Sequence, residues 1–260
     1  MNVGGISRKI VLCAAVAGAS ALLASTANAE VALNLTAGGS GTINGALFET
    51  NQVQPTGSGV IHSFVRISSN NAVEQGYNTD GRPLQFDENS SPTFTRSQAK
   101  ADLQIVSKNG VDYYAFLLDI NQQSSTPLLN INDIEVYLGD APGLLGFTPG
   151  SGFGTHSTVV YQMDASSDNG ILLNYNLNSG SGSGDMWMFI KKSAFTGTNP
   201  WVYLYSKFGD PNPNNDGYEE WATLVGHNTP SVPLPASLWG GLALMGLVGA
   251  AKIRSRRQSA

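Results

Sequence analysis

Between residues 31 and 225, apolar and polar side chains alternate with a period of two in one short segment after another, and no stretch sustains the 3.6-residue period of an amphipathic helix. Residues 101–107 and 111–120 flank Lys108-Asn109-Gly110. Asn-Gly between two apolar runs predicts a β-hairpin, because both residues tolerate positive φ. Ile134, Val136 and Leu138 alternate with Glu135 and Tyr137 and stop at Gly139-Asp140-Ala141-Pro142-Gly143, which predicts a half-buried strand ending in a turn. Further strands are predicted at 31–36, 42–49, 59–68, 157–163, 170–178, 186–192, 201–207 and 219–225, with one short helix at 94–101. Strands spaced roughly 10–20 residues apart, with Gly, Pro and Asn between them, predict an all-β fold of two packed antiparallel sheets. The expected form is a jelly-roll or lectin-like β-sandwich. A parallel α/β fold would need helical crossovers of about ten residues or more between strands. The Ser-Gly alternation at 179–184 suits a flexible hairpin loop. It does not suit a phosphate cradle, which a Lys-Ser/Thr pair and a helix would have to follow.

The two ends of the chain follow other rules. Arg8-Lys9, an apolar run over 10–23 and Ala27-Asn28-Ala29 have the order of a secretory signal, with a cut expected between Ala29 and Glu30. Cys13 then leaves with the signal, since Ile10-Val11-Leu12 is a poor approach to a lipidated cysteine. At the other end, residues 234–251 carry no charge and are long enough for one transmembrane helix. Lys252, Arg254, Arg256 and Arg257 follow and fix that end in the cytoplasm, which places the domain over 30–225 outside. Residues 226–233, with Pro230 and Pro233, read as a stalk.

Composition sharpens this division. Gly, Ser, Thr and Asn make up 95 of the 260 residues, and charged residues only 13%, as expected of a turn-rich extracellular β protein. A 41% hydrophobic share excludes wholesale disorder. The formal charge of −5 conceals an asymmetry, because residues 30–229 hold eight basic against nineteen acidic side chains, a formal −11. Such a domain is repelled by nucleic-acid phosphates and anionic lipid surfaces, which argues against nucleic acid as a partner. The chain's one cysteine is Cys13, so the domain has no disulfide and relies on its core, with bound cations as a second support.

The run Val232-Pro233-Leu234-Pro235-Ala236-Ser237, the apolar span and the Arg-rich end together resemble the PEP-CTERM sorting signal of Gram-negative bacteria. Leu234 stands where that signal usually has glutamate. The resemblance implies recognition by an exosortase, an integral-membrane cysteine transpeptidase that cuts near the Pro motif. It also implies release to, or attachment at, the outer surface of cells that make exopolysaccharide. Three stretches of the domain also resemble a β-rich subgroup of PEP-CTERM proteins: residues 74–81, residues 180–185 before an aromatic strand, and Asp216-Gly217-Tyr218-Glu219-Glu220-Trp221. This resemblance implies a location and no particular chemistry.

Two constellations invite a binding role. Asp210, Asn212, Asn214 and Asp216 recur at every second position, with Glu219 beyond, and oxygen ligands so spaced can converge on calcium. Asn215 stands where an EF-hand has glycine and Trp221 where it has its bidentate glutamate. The competing reading is a Pro-Asn-Gly turn between two strands. Asn174, Asn176 and Asn178 would lie on one face of a strand, opposite Leu173, Tyr175 and Leu177. Their amides suit sugar hydroxyls, and Trp187 or Trp201 can stack on a sugar ring, although a solvated sheet face explains the same pattern.

Enzyme signatures are thin. His62, His156 and His227 are far apart, and no G-x-S-x-G is present. The neighbours Asp87-Glu88 and Glu219-Glu220 point to opposite faces of a strand. A glycosidase needs carboxyls facing one another, usually from different strands, and that option stays open. The leading expectation is an exported, non-catalytic structural or adhesive protein of the cell surface or exopolysaccharide matrix. A lectin-like glycan binder, calcium-dependent or not, comes second, and a polysaccharide hydrolase or lyase third. No cofactor other than calcium is implied.

Overall fold

In the computed structural model the described residues are 30–50, 63–180, 182 and 184–224, with Met1. The expected signal over 1–29, the stalk, the sorting motif from Val232 to Ala236, the apolar span 234–251 and its basic end lie outside them, apart from Met1 itself. So do His62 and His227.

The chain forms β1 (Glu30–Asn34), β2 (Ser40–Ile43), β3 (Ala46–Glu49), β4 (Ser63–Ile67), β5 (Glu74–Tyr77), β6 (Gln98–Ala99) and β7 (Ile105–Lys108). It continues through β8 (Val111–Asp119), β9 (Leu128–Gly139), β10 (Ser157–Gln162), β11 (Asn169–Asn174), β12 (Met186–Lys191), β13 (Trp201–Phe208) and β14 (Glu219–Thr223). One sheet has the order β1-β11-β9-β13-β5, with β10 beside β9 and β6 beside β13. The other has the order β2-β3-β12-β8-β14-β4, with β7 beside β8. Of these pairings, β1 with β11 is parallel and the rest are antiparallel.

Local chemistry explains several elements. Asn109 and Gly110 adopt φ of 51° and 78° and join β7 to β8 as the hairpin expected there. Asn44 and Gly45, at 46° and 86°, do the same for β2 and β3, so the strand predicted over 42–49 is a hairpin instead. The helix predicted at 94–101 is replaced by β6 and a single 3₁₀ turn at Lys100–Asp102, because Gln98 and Ala99 pair with Val202 and Trp201.

The sheets share one core. Phe48, Phe64, Phe116 and Trp221 from one side meet Leu129, Val136, Leu204 and Phe208 from the other, all fully buried. A second apolar layer lies on the outer face of the first sheet. There Tyr77, Tyr137, Tyr203 and Tyr205 pack with Phe147 and Phe153, from a segment that folds back over the sheet. Tyr203 anchors that segment by donating to the Ala141 carbonyl at 2.5 Å and accepting from the Leu144 N–H at 3.0 Å. This cover corrects the half-buried reading of β9: Glu135 and Tyr137 on its outer face are each only 2% exposed.

Registers place the crossings between sheets. The ends of β4 and β8 lie beside the starts of β12 and β14, while the ends of β11 and β13 lie beside the starts of β5 and β9. The connections over 68–73, 120–127, 175–185 and 209–218 therefore all pass from one sheet to the other at the same end of the sandwich. The connection from β11 to β12, which holds Gly180, Gly182 and Gly184, is one of these crossings and not a hairpin loop; Ser181 and Ser183 lie outside the described residues.

Candidate functional site

Crossing loops bury backbone without a ladder to pair it, and polar side chains must supply the partners. The loop end of the sandwich is accordingly where buried Glu74, Asp119, Gln122, Asn130, Asp185 and Glu219 gather. Asp119 accepts from the N–H groups of Gly182 and Gly184 at 2.6 and 3.3 Å, and Asp185 from that of Ile120 at 2.8 Å. Burial raises the pKa of both carboxyls despite these bonds.

The loop 209–218 begins and ends on constrained glycines. At Gly209, with φ 108°, a Cβ would strike the Ala72 carbonyl oxygen, and at Gly217, with φ 62°, the Asn121 amide. Between them the side chains reach sideways. Asn132 bonds both the N–H and the carbonyl of Asp210, at 3.0 and 2.5 Å. Asn212 donates to the Asn130 side chain at 2.5 Å, and Asn215 to the Thr126 carbonyl at 2.8 Å. Asn214 donates to Glu74 at 2.7 Å and to the Ser69 carbonyl at 3.3 Å.

The five residues expected to converge on calcium are thus divided. Asp210 lines a cleft on the first sheet, Asn212 is held by Asn130, Asp216 lines a surface hollow, and Asn214 and Glu219 join a buried network. Alternate positions would converge only in a loop curled on itself, whereas this one is stretched between β13 and β14 and bonded to residues 126–132. Among the described residues, no group of three or more His, Cys, Asp or Glu side chains is placed to hold a metal ion.

The expected row of amides is also not a sheet face. β11 stops at Asn174, whose side-chain oxygen accepts from the Asn176 N–H at 3.0 Å and caps a 3₁₀ turn over Tyr175–Leu177. The remaining amide groups tie loops together: Asn174 to the Thr36 carbonyl at 3.2 Å, Asn176 to that of Ser124 at 3.0 Å, and Asn178 to that of Gly184. Trp187 packs beside Phe189 on the outer face of the second sheet, while Trp201 joins the aromatic layer outside the first. The two indoles therefore lie on opposite sides of the sandwich.

Two groupings emerge that are not among the constellations expected from the sequence. The first is a pair of glutamates, Glu74 on β5 and Glu219 on β14, both fully buried and facing each other. Burial raises both pKa values, and at Glu219 the facing Glu74 adds to the rise. Gln122 donates to Glu219 at 3.1 Å and Ser69 N–H to Glu74 at 2.8 Å.

The second is an open cleft of about 270 Å³ on the outer face of the first sheet, walled by Asp133, Asp164, Asp168, Tyr205, Lys207 and Asp210. Asp133 is pushed up to about 8, first by burial and then by the charges of Glu135 and Asp164. Its neighbour Glu135 is fixed by the Gly150 N–H at 2.7 Å and by the Tyr137 hydroxyl. Tyr205 at the cleft wall donates to Gln75 at 2.7 Å. Near neutral pH the cleft combines a mostly protonated Asp133 carboxyl with the side chains of Asp164, Asp168 and Asp210 and the Lys207 amine. It can donate to and accept from hydroxyl groups side by side. A signal for it does exist in the sequence: Asn132-Asp133 breaks the apolar alternation of β9, at the point where the register with β13 slips by one residue. Comparison with protein-family models, with curated proteins and with solved structures yields no match for this chain.

Proposed function

We propose that the chain is an exported, non-catalytic β-sandwich of jelly-roll or lectin-like kind, displayed at the cell surface or in the exopolysaccharide matrix. Its adhesive role would be exercised by binding polysaccharide in the cleft at Asp133. The address rests on the signal-like start and on the PEP-CTERM-like tail, which would span the inner membrane in the precursor and be handed to an exosortase. One observation supports the ligand class: Asp133, Lys207 and Gln75 place hydrogen-bond donors and acceptors side by side in one open cleft. Sugar hydroxyls need such paired donors and acceptors. Calcium at the loop 209–218 is not required by this reading.

The test is binding of the full chain to a glycan array and to the producer's own polysaccharide. Binding is expected, and roughly a tenfold loss in Asp133→Ala and Lys207→Ala. A blank array together with a blank pull-down overturns the reading. The raised carboxyl beside Asp164 is the one feature that favours the hydrolase or lyase reading. Release of reducing ends from native polysaccharide, abolished by Asp133→Asn, would make the protein an enzyme.

A further inference from the structure

The fully buried pair Glu74 and Glu219 has no basic partner. The ion pairs among the described residues join Arg66 to Glu220, Lys108 to Glu49 and His156 to Asp140. Three oxygens in this one network lack a hydrogen-bond donor: Glu74 Oε1, Glu219 Oε2 and Gln122 Oε1. Gln122 is only 2% exposed, and its amide nitrogen is already committed to Glu219 at 3.1 Å and to Asn214 at 3.4 Å. Reversing that amide would turn an oxygen toward a carboxylate and make matters worse. A single proton shared between the carboxyls satisfies two of the three oxygens and leaves the Gln122 oxygen bare. A divalent cation held among them would give each a partner.

From this geometry we infer a buried calcium site formed by Glu74, Glu219 and Gln122, with Asn214 as its wall. The donors are all oxygen, which selects a hard cation over zinc. Both glutamates are inaccessible to solvent, and magnesium, which usually keeps several of its waters, suits such a place less well than calcium does. Two carboxylates balance one divalent charge. A hollow of about 530 Å³ opens nearby between the loops 68–72 and 213–217, and its walls include Ser69 and Asn214, which also bond Glu74. The site keeps Asn214 and Glu219 of the calcium set expected from the sequence and replaces Asp210, Asn212 and Asp216 by Glu74 and Gln122. It is independent of the cleft at Asp133. Because β5 belongs to one sheet and β14 to the other, the ion ties the sheets together at the loop end.

The full chain, stripped with chelator, is titrated with calcium by calorimetry and melted with and without calcium at about 1 mM, a range in which extracellular calcium modules bind. One calcium per chain and a higher melting temperature in calcium are expected. Glu219→Gln should weaken binding by roughly tenfold or more, since affinity follows the number of charged ligands. Gln122→Glu keeps the shape and adds a third carboxylate, so it should bind calcium more tightly while melting lower in chelator. A wild-type chain that binds no calcium overturns the inference. So does undiminished binding by Glu219→Gln, or a Gln122→Glu chain whose affinity does not rise.

Discussion

Trp221 reaches from β14 through the core and donates its indole N–H to the hydroxyl of Ser206 on β13, at 3.0 Å. Both residues are fully buried, so this polar bond between the sheets has no water to replace it. Ser206→Ala strands the indole N–H and should destabilise the domain by about 1–3 kcal/mol, an unmade buried bond of this kind. Ser206→Ala with Trp221→Phe should cost less than the sum of the two single changes, since the second removes the stranded group. Urea unfolding of the three variants measures both effects, and strict additivity would deny the bond a role.

The carboxyl of Asp133 gives stability a pH dependence of definite sign. Its folded value of about 8 lies above the ordinary aspartate value of 3.8. Its contribution is therefore fully present in acid and is lost as pH rises from about 4 through about 8. Asp133→Asn should leave stability near pH 4 little changed and raise it by several kcal/mol near pH 9. Thermal melts across that range read the difference directly. A variant that tracks the wild type at every pH would place the carboxyl at its ordinary value.

Two glycines with positive φ should respond differently to a methyl group. Gly150, at φ 79°, has nothing within 4 Å of a built Cβ, so Gly150→Ala should cost only the backbone penalty of about 1 kcal/mol. At Gly209 the added carbon meets the Ala72 carbonyl oxygen, and Gly209→Ala should cost about 3 kcal/mol or more. Equal melting temperatures for the two variants would mean that the 209–218 loop yields freely.

The N–H groups of Gly182 and Gly184 both point at the Asp119 carboxylate. Asp119→Ala should speed amide hydrogen exchange at those two glycines while leaving the β7–β8 hairpin protected. Uniformly faster exchange throughout would show global destabilisation instead.

The hairpin at Asn109-Gly110 was legible because its cause is local, two adjacent residues that accept positive φ. β11 was legible only as far as Asn174. There a side chain takes over the turn, and alternation carries no mark of that handover. The burial of Tyr137 was hidden for another reason: period two tells which residues share a face, and only the segment over 140–156 decides whether that face meets water. Asp133 left a trace, as a polar doublet in an apolar strand. Glu74 left none, because nothing in Glu74-Gln75-Gly76-Tyr77 announces that it will face Glu219 across two sheets. The same holds for Gln122, whose neighbours in the chain are ordinary loop residues.

The position of β14 carries a mechanical meaning. It lies in the interior of its sheet, bonded to β4 on one side and to β8 on the other, and the chain leaves it toward the segment read as a surface anchor. A pull on that segment would load β14 along its own axis, so that its ladder bonds on both flanks would have to shear together rather than peel open one at a time. The attachment point would then be the part of the domain best able to carry tension.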